Sequence, residues 1–296
     1  MTKEEIGRRF EEITIWRSGD QRAPHKPLLL LYALAKCSRG EARLIPYRDI
    51  DPDLRSLLIE FGPSRKAYHT EYPFWRLQND GIWTLTHTDK LERRQSNTDA
   101  KKSELLKHDV AGGFTEPIYN LLQNDQRFLS KLAGQILEAH FPASMHGDIL
   151  GAVGLDLEVA DSKRRKRDAE FRTRVLRAYE YRCAVCGFDV RIDQTTIGLE
   201  AAHMKWHLAG GPDIEENGVA LCVMHHKLLD FGAYRITEDY RVRVSQRVHG
   251  TSGLDEWLLR YHDQPVRKPQ SVVYTLKPEY LTWHVREVFK LPERHL

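Results

Sequence analysis

Hydrophobic residues recur with helical spacing through much of the first half of the chain. Ile6, Phe10 and Ile13 are four and three residues apart, as expected for one face of a helix. Pro27 is suited to the first turn of a helix, and the segment that follows it is apolar on nearly every side, which favours a buried helix. The pattern predicts four helical segments: residues 3–13, 28–37, 50–61 and 117–140.

Short aromatic segments interrupt this helical pattern. Residues 72–78 and 82–85 are rich in aromatic side chains and flank Asn79-Asp80-Gly81, in which glycine tolerates a positive φ. This arrangement predicts a β-hairpin. Pro73 cannot donate a ladder hydrogen bond, so its strand is expected at the edge of a small sheet.

The second half of the chain predicts a different order of elements. Residues 141–161 contain one proline and three glycines and are interpreted as a linker, with a domain boundary near residue 155. After it, the pattern predicts helices over 168–179 and from Met224, and strands over 199–203, 219–222 and 241–245. An amphipathic helix over 279–290 is expected to close the domain. We therefore predict an α+β protein, with a helix-rich domain over 1–155 and a second domain over 156–296.

Composition narrows the class of protein only slightly. The chain has 296 residues, 41% hydrophobic and 29% charged, with a net charge of +3, which is ordinary for a globular protein. Eight basic residues against two acidic ones give residues 163–177 a local excess of six positive charges, which suits either a solvated helix face or a nucleic-acid contact.

Several other classes of protein are not expected from the sequence. The longest apolar run, residues 28–35, has eight residues, far fewer than the ~20 that span a bilayer. The first twelve residues are charged throughout, so we expect no secretory signal and a cytoplasmic location. Four cysteines are too few for a disulfide scaffold in this length.

Three of the four cysteines lie in two short motifs. Cys183 and Cys186 form a C-x2-C pair, and Cys222 with His225 forms C-x2-H 36 residues further on. Two such motifs supply the four tetrahedral ligands of a structural Zn²⁺ ion. Cys37 lies in the apolar helix and is expected to be a buried small hydrophobe.

His226 follows the last zinc ligand directly. Adjacent helical residues point about 100° apart, so His226 cannot share the ion bound by His225. Asp230 lies four residues later on the face of His226. The pair is a candidate catalytic metal site. In the alternative interpretation, Asp230 only orients its helix or forms a salt bridge within it.

The segment from Arg182 to Arg235 resembles the HNH nuclease family, which has a ββα-metal fold. The resemblance rests on the C-x2-C pair, on LEAAH ending at His203, on the GG pair, on NG-ALC-MHHK beginning at Asn217, and on D-GAY. It implies that His203 is the general base, that Asn217 fixes the loop that orients the base, and that His226 binds a catalytic Mg²⁺ or Mn²⁺.

One position departs from the family pattern. Many family members have Asp or His directly before the base as a metal ligand, whereas this chain has Ala202. Asp230, Glu200 or water is left to complete the metal shell. Strand alternation disfavours Glu200, because it and His203 are expected to face opposite sides.

The first domain resembles the sulfur-binding domain of restriction enzymes that recognise phosphorothioate-modified DNA. PHKPLLLL and YHTEYPFWRLQNDGIW carry this resemblance, which implies a sulfur pocket at Tyr72 and Pro73. Sulfur is less strongly hydrated than oxygen, so a pocket of apolar surface favours it. The remaining expected DNA-binding residues lie near this pocket or form a cationic stretch suited to phosphates: His25, Arg22, Lys26, Arg93, Arg94, Lys101 and Lys102.

These observations predict a type IV-like restriction endonuclease that binds double-stranded, phosphorothioate-modified DNA, in a form that can be a homodimer. Two alternatives remain open. One is an HNH endonuclease for base-modified DNA such as methylcytosine DNA, which would hold a flipped base in an aromatic pocket. The other is a zinc-ribbon DNA-binding protein without catalysis, which has no need of His203 or His226.

Overall fold

The structure, a computed structural model, describes residues 1–16, 18–92, 94, 99–156 and 169–295. It divides the chain into two units. The first contains Met1–Gly19 and Ala23–Ser162, and the second contains Asp20–Arg22 and Lys163–Leu296. Each unit combines helices with short antiparallel strands, which confirms the α+β class.

The first unit is built around one apolar helix. Its described residues form eight α-helices: α1 (Lys3–Glu11), α2 (His25–Ser38), α3 (Tyr47–Phe61), α4 (Glu71–Arg76), α5 (Lys102–Lys107), α6 (Glu116–Asn124), α7 (Gln126–His140) and α8 (Ala143–Val153). Residues 28–35 of α2 are all buried, and α2 packs against α3, α4, α6, α7 and α8. The apolar run therefore forms the centre of the core.

A three-stranded sheet lies beside these helices. Strand β3 (Ala111–Phe114) pairs antiparallel with β1 (Ile45–Pro46) on one side and with β2 (Trp83–Leu85) on the other. Gly113 allows a close approach, because a Cβ there would stand 1.8 Å from the carbonyl oxygen of Arg43. The prediction of a small sheet is correct, and the predicted strand 82–85 forms β2, but β2 pairs with β3 instead of with residues 72–78.

The segment predicted as the first strand of a hairpin is helical. Helix α4 covers Glu71–Arg76, and a 3-10 helix follows over Leu77–Asp80. Pro73 lies in the first turn of α4, where a missing backbone N–H costs nothing. Phe74 and Trp75 are buried, so the aromatic run marks a core-facing helix. Gly81 does adopt the expected positive φ, at 69°.

Two further predictions need correction. The helix predicted over 117–140 is divided at Asp125, whose carboxylate accepts a hydrogen bond from Phe128 N (2.9 Å) and so caps α7. The segment interpreted as a linker contains α8 instead. That helix ends at Gly154 with a φ of 67°, and its glycines at 147 and 151 are accommodated within the helix.

The second unit contains four helices and three two-stranded antiparallel sheets among its described residues. The helices are α9 (Ala169–Ala178), α10 (Val223–Asp230), α11 (Ser252–Trp257) and α12 (Pro278–Glu287). The strand pairs are β4 (Arg191–Ile192) with β5 (Thr195–Thr196), β6 (Leu199–His203) with β7 (Gly218–Cys222), and β8 (Tyr234–Ile236) with β9 (Val242–Val244). Residues 163–168 of the predicted basic run lie outside the described residues.

The β6–β7 hairpin is the centre of the second unit. Leu199 lies opposite Cys222, and His203 lies opposite Gly218. Both α9 and α10 pack against this hairpin. A Cβ at Gly218 would stand 2.4 Å from Val175 Cγ2, so glycine permits the close approach of α9. The two strands and the short helix after them agree with the sequence prediction. In the part of the chain that the structure describes, no helix has the length and apolar character to cross a bilayer.

We predict that the buried ion pair between Lys26 and Asp80 stabilises the first unit. Their charged atoms are 2.5 Å apart, with side chains only 10% and 4% exposed. Lys26→Met leaves the Asp80 carboxylate buried without its cation and is expected to cost about 3–5 kcal/mol. Lys36→Met on the same helix removes a more exposed pair with Glu41 and should cost at most ~1 kcal/mol.

The free energy of unfolding of each variant is measured by urea denaturation, with hydrogen exchange of the α2 amides reporting on the first unit. Equal stability of the Lys26 and Lys36 variants would contradict the prediction.

Candidate functional sites

Three thiols and one imidazole converge in the second unit. The turn after α9 carries Cys183 and Cys186, β7 ends at Cys222, and His225 lies in the first turn of α10. Their ligand atoms all lie within 4.8 Å of one another. Gly187 follows the first pair with a φ of 76° and allows the tight turn.

The donor set and its surroundings fit a structural zinc ion. His225 Nε2 lies 3.0 Å from the carbonyl oxygen of Trp257, and a proton donated there leaves Nδ1 for the cluster. Nδ1 is 3.2 Å from Cys222 Sγ. Hydrogen bonds from Cys186, Cys222 and His225 hold the pKa of the Cys183 thiol well below its usual value. Thiolate is the form that binds zinc, so these four residues can hold the ion.

His203 lies at the end of β6 beside two further polar side chains. Its ring stacks on Phe171, with centroids 4.2 Å apart and planes 18° apart. Its Nε2 is 2.7 Å from Asp213 Oδ1, and His207 Nδ1 is 3.3 Å from the same oxygen. The stacking and the carboxylate together fix the orientation of the His203 ring.

Asn217 is fully buried and fixes the loop that follows His203. Its Oδ1 accepts a hydrogen bond from Lys205 N (2.8 Å), and its Nδ2 donates to the carbonyl oxygens of Lys205 (2.9 Å) and Pro212 (3.0 Å). A Cβ at Gly211 would stand 1.9 Å from Lys205 O, so the loop closes only with glycine there. These contacts hold the loop between Lys205 and Asn217 in one conformation.

His226 lies between two carboxylates. Its Nδ1 is 2.6 Å from Glu200 Oε2, and its Nε2 is 3.3 Å from Asp230 Oδ2. Strand alternation disfavoured Glu200 as a partner in the metal shell, but the structure places Glu200 directly against His226. The two carboxylates face opposite nitrogens of the ring, so they cannot both bind one ion together with His226.

In the first unit, cationic side chains surround Tyr72. The guanidinium groups of Arg76 and Arg94 lie 4.9 Å and 5.0 Å from its ring centre, and His69 stacks on it at 4.9 Å. Arg94 also donates to the Tyr72 hydroxyl at 2.9 Å. Both guanidinium groups are also paired with buried carboxylates, Arg76 with Asp99 at 2.6 Å and Arg94 with Glu71 at 3.1 Å. The half-buried Tyr72 ring therefore lies within a network of paired charges.

His25 lies close to this group and is neutral at neutral pH. Burial lowers its pKa to about 4, and the positive charges of Arg65 and His69 act in the same direction, against an opposing effect of Glu71. His25 can thus donate or accept a hydrogen bond but adds no charge at this site.

Two expected DNA-binding residues have other partners in the structure. Lys26 was expected to be available to the DNA backbone, but it is buried and paired with Asp80. Arg22 belongs to the second unit, where its guanidinium lies 4.0 Å from the ring centre of Trp206 and donates to the carbonyl oxygen of Glu287 at 2.9 Å.

The remaining predicted positions differ in exposure. Pro73 is buried in α4, which corrects the expectation of an exposed edge strand. Lys101 and Lys102 each lie at a carboxylate of the first unit, 3.4 Å and 2.5 Å away. Arg93 lies outside the described residues.

Sequence reasoning missed three neighbours of the predicted residues and disfavoured a fourth, Glu200. Arg76 follows Tyr72 by four residues, which brings the two together only on a helix, and this segment was predicted as a strand. His69 and Asp213 carry no spacing signal of their own. The loop closed by Asn217 brings Asp213 to His203, and the packing of α10 against β6 brings His226 to Glu200.

Comparison with known protein families identifies the first unit. The family described as "ScoMcrA-like, DNA sulfur-binding domain" matches residues 3–158, which is more than half of the chain. The chain belongs to this family. The family described as "HNH endonuclease" matches residues 183–236, so both resemblances inferred from sequence motifs are confirmed.

Solved structures give weaker similarity. A sulfur-binding domain of ScoMcrA in complex with phosphorothioated DNA is 24% identical, with 50% of this chain and 94% of that chain covered and a TM-score of 0.45. The sulfur-binding domain of SprMcrA in complex with phosphorothioated DNA is 25% identical, with 52% of this chain and 95% of that chain covered and a TM-score of 0.43. The type IV phosphorothioation-dependent restriction endonuclease ScoMcrA is 23% identical, with 48% of this chain and 28% of that chain covered and a TM-score of 0.42. A search of curated proteins found no match.

We predict that the HNH domain depends on zinc at the cysteine cluster. Cys183→Ser removes one of four ligands and should lower the zinc content from one per chain to near zero and unfold the β6–β7 hairpin. Cys37→Ser is the matched control, because Cys37 is a buried thiol of the first unit. Metal analysis and hydrogen exchange provide the readouts. Folded Cys183→Ser protein without zinc would refute a structural role for the metal.

Proposed function

We propose that this protein is a type IV-like restriction endonuclease that binds phosphorothioate-modified DNA and hydrolyses its phosphodiester bonds. One observation carries the proposal. A single chain joins a sulfur-binding domain to an HNH domain in which His203 is paired with Asp213 and His226 with Glu200.

The surroundings of Tyr72 support discrimination between sulfur and oxygen. A non-bridging phosphate oxygen loses strong hydration when it is buried against an aromatic ring, whereas sulfur loses much less. Arg76 and Arg94 on the ring offer guanidinium N–H groups to a phosphate, while Asp99 and Glu71 balance their charges. The ring then provides the preference for sulfur, and the guanidinium groups provide hydrogen bonds to the backbone of either duplex.

The HNH domain supplies a positioned proton acceptor. When His203 carries its proton on Nε2 and donates a hydrogen bond to Asp213, Nδ1 keeps its lone pair and can take a proton from the attacking water. Phe171 stacks against the ring, and Asn217 fixes the following loop. Asp213 acts as a positioning residue, because it holds the tautomer and does not contact the reacting atoms.

His226 and Glu200 are suited to hold the catalytic divalent ion. Asp230 is buried and can accept the Nε2 proton of His226, which leaves Nδ1 beside the Glu200 carboxylate. In this arrangement Asp230 orients the His226 ring, and Glu200 belongs to the metal shell. An imidazole and a half-exposed carboxylate leave room for the water ligands that Mg²⁺ or Mn²⁺ retains. When bound, the ion supplies neutralisation of the phosphate and stabilisation of the leaving oxygen.

The proposal is tested with duplexes that differ only in the presence of phosphorothioate linkages. We expect cleavage of the modified duplex in Mg²⁺ or Mn²⁺, none in EDTA, and little cleavage of the unmodified duplex. Cleavage that instead requires methylcytosine would support an enzyme for base-modified DNA. Binding with no cleavage under any metal would support a DNA-binding protein.

Tyr72→Ala tests the recognition step. Loss of the ring should weaken binding to phosphorothioate DNA by about 2 kcal/mol, roughly thirtyfold in Kd, and leave the weak binding to unmodified DNA unchanged. Tyr274→Ala, a half-buried tyrosine of the second unit, is the control. Fluorescence anisotropy at several salt concentrations measures both duplexes. An equal loss on both duplexes would mean that Tyr72 does not discriminate sulfur.

His203→Ala tests the catalytic step. Removal of the proton acceptor should slow cleavage by about 10²–10⁴-fold with unchanged affinity for modified DNA. His249→Ala, which changes an exposed histidine of the same unit, should cleave at the normal rate. Single-turnover kinetics with protein in excess separates cleavage from binding. Normal cleavage by the His203 variant would remove this residue from the mechanism.

A further inference from the structure

His207 joins His203 and Asp213 in a cluster that the nuclease proposal does not use as a whole. One ligand atom from each of the three residues lies within 4.8 Å of the other two. Asp213 Oδ1 lies between the imidazoles, 2.7 Å from His203 Nε2 and 3.3 Å from His207 Nδ1. The three side chains come from the end of β6, the 3-10 helix His207–Ala209 and the loop before Asn217.

These separations are close to those of a metal-ligand set. Ligands that bind Zn²⁺ tetrahedrally at 2.0–2.1 Å stand ~3.4 Å from one another. The Asp213–His207 separation of 3.3 Å already matches this value. The Asp213–His203 separation of 2.7 Å has to increase by about 0.7 Å, which small side-chain rotations can supply.

The surrounding structure holds two of the three ligands in place. His203 stacks on Phe171, and Arg174 donates to the carbonyl oxygen of Asp213 at 2.7 Å. His207 is the exposed member, with 65% of its side chain accessible. An ion would therefore enter from the solvent side, where the imidazole of His207 is exposed.

We propose that His203, His207 and Asp213 bind one transition-metal ion of the zinc class and that this ion inhibits the nuclease. Two imidazoles and one carboxylate favour Zn²⁺, Co²⁺ or Ni²⁺ over Mg²⁺, which prefers oxygen ligands. Three protein ligands leave one position to solvent, so the ion exchanges more readily than one in the Cys183 cluster.

Inhibition follows from the tautomer of His203. A metal on Nε2 uses the lone pair of that nitrogen and requires the ring proton to reside on Nδ1. Nδ1 then has no lone pair with which to accept a proton from water. The inhibitory half of this inference rests on the proposed function, in which Nδ1 of His203 is the base, whereas the binding half does not.

Cobalt binding to the zinc-loaded protein tests the binding half. With the cysteine cluster filled by zinc, the wild-type chain should take up one Co²⁺ whose spectrum lacks thiolate charge-transfer bands. His207→Ala should bind that Co²⁺ at least tenfold more weakly, whereas His249→Ala should bind it normally. The absence of a further ion, or equal binding by the His207 variant, would overturn the inference.

Zinc inhibition of cleavage tests the other half. In Mg²⁺, wild-type cleavage should fall over the zinc concentrations at which the further ion binds. His207→Ala should cleave normally without added zinc and require at least tenfold more zinc for the same inhibition. Bound ion with undiminished cleavage would overturn the inference. If no variant cleaves DNA under any condition, the proposed function fails, and the cobalt experiment still decides whether the metal site exists.

Discussion

The convergence of three thiols and an imidazole fixes the geometry of the second unit. The two-stranded sheets there are too short to be stable alone, and the cluster joins the turn after α9 to the junction of β7 with α10. Because Cys222 ends β7 and His225 lies in the first turn of α10, the angle between strand and helix is fixed at the cluster. His226, the next residue, is thereby placed against Glu200 on the neighbouring strand.

Parts of the site that depend on short-range spacing were predictable from the sequence. The cysteine and histidine side chains of the cluster lie three positions apart within each motif, and the predicted strands 199–203 and 219–222 agree with β6 and β7 to within one residue. Glu200 was considered as a metal ligand but disfavoured, and Asp213 was not predicted as a partner of His203. The contact of Glu200 depends on how α10 packs against β6, and that of Asp213 depends on the loop closed by Asn217; neither is encoded by residue spacing.

The error over residues 71–80 has a simpler cause. Aromatic residues favour strands in general, and the Asn-Asp-Gly sequence resembles a hairpin turn. In this chain the aromatic residues are buried in a helix that packs on α2, and tertiary packing outweighs the local preference. The helical form also places Arg76 over the ring of Tyr72, which a strand would not do.

Gly218 limits which sequences can carry this nuclease site. A methyl group at this position would collide with Val175 and approach the Phe171 ring at 3.1 Å, so any larger residue displaces α9. Phe171 is the residue that stacks on His203. The orientation of His203 therefore depends on a backbone position that has no functional group of its own. A larger residue at Gly218 would require a compensating reduction in size at position 171 or 175.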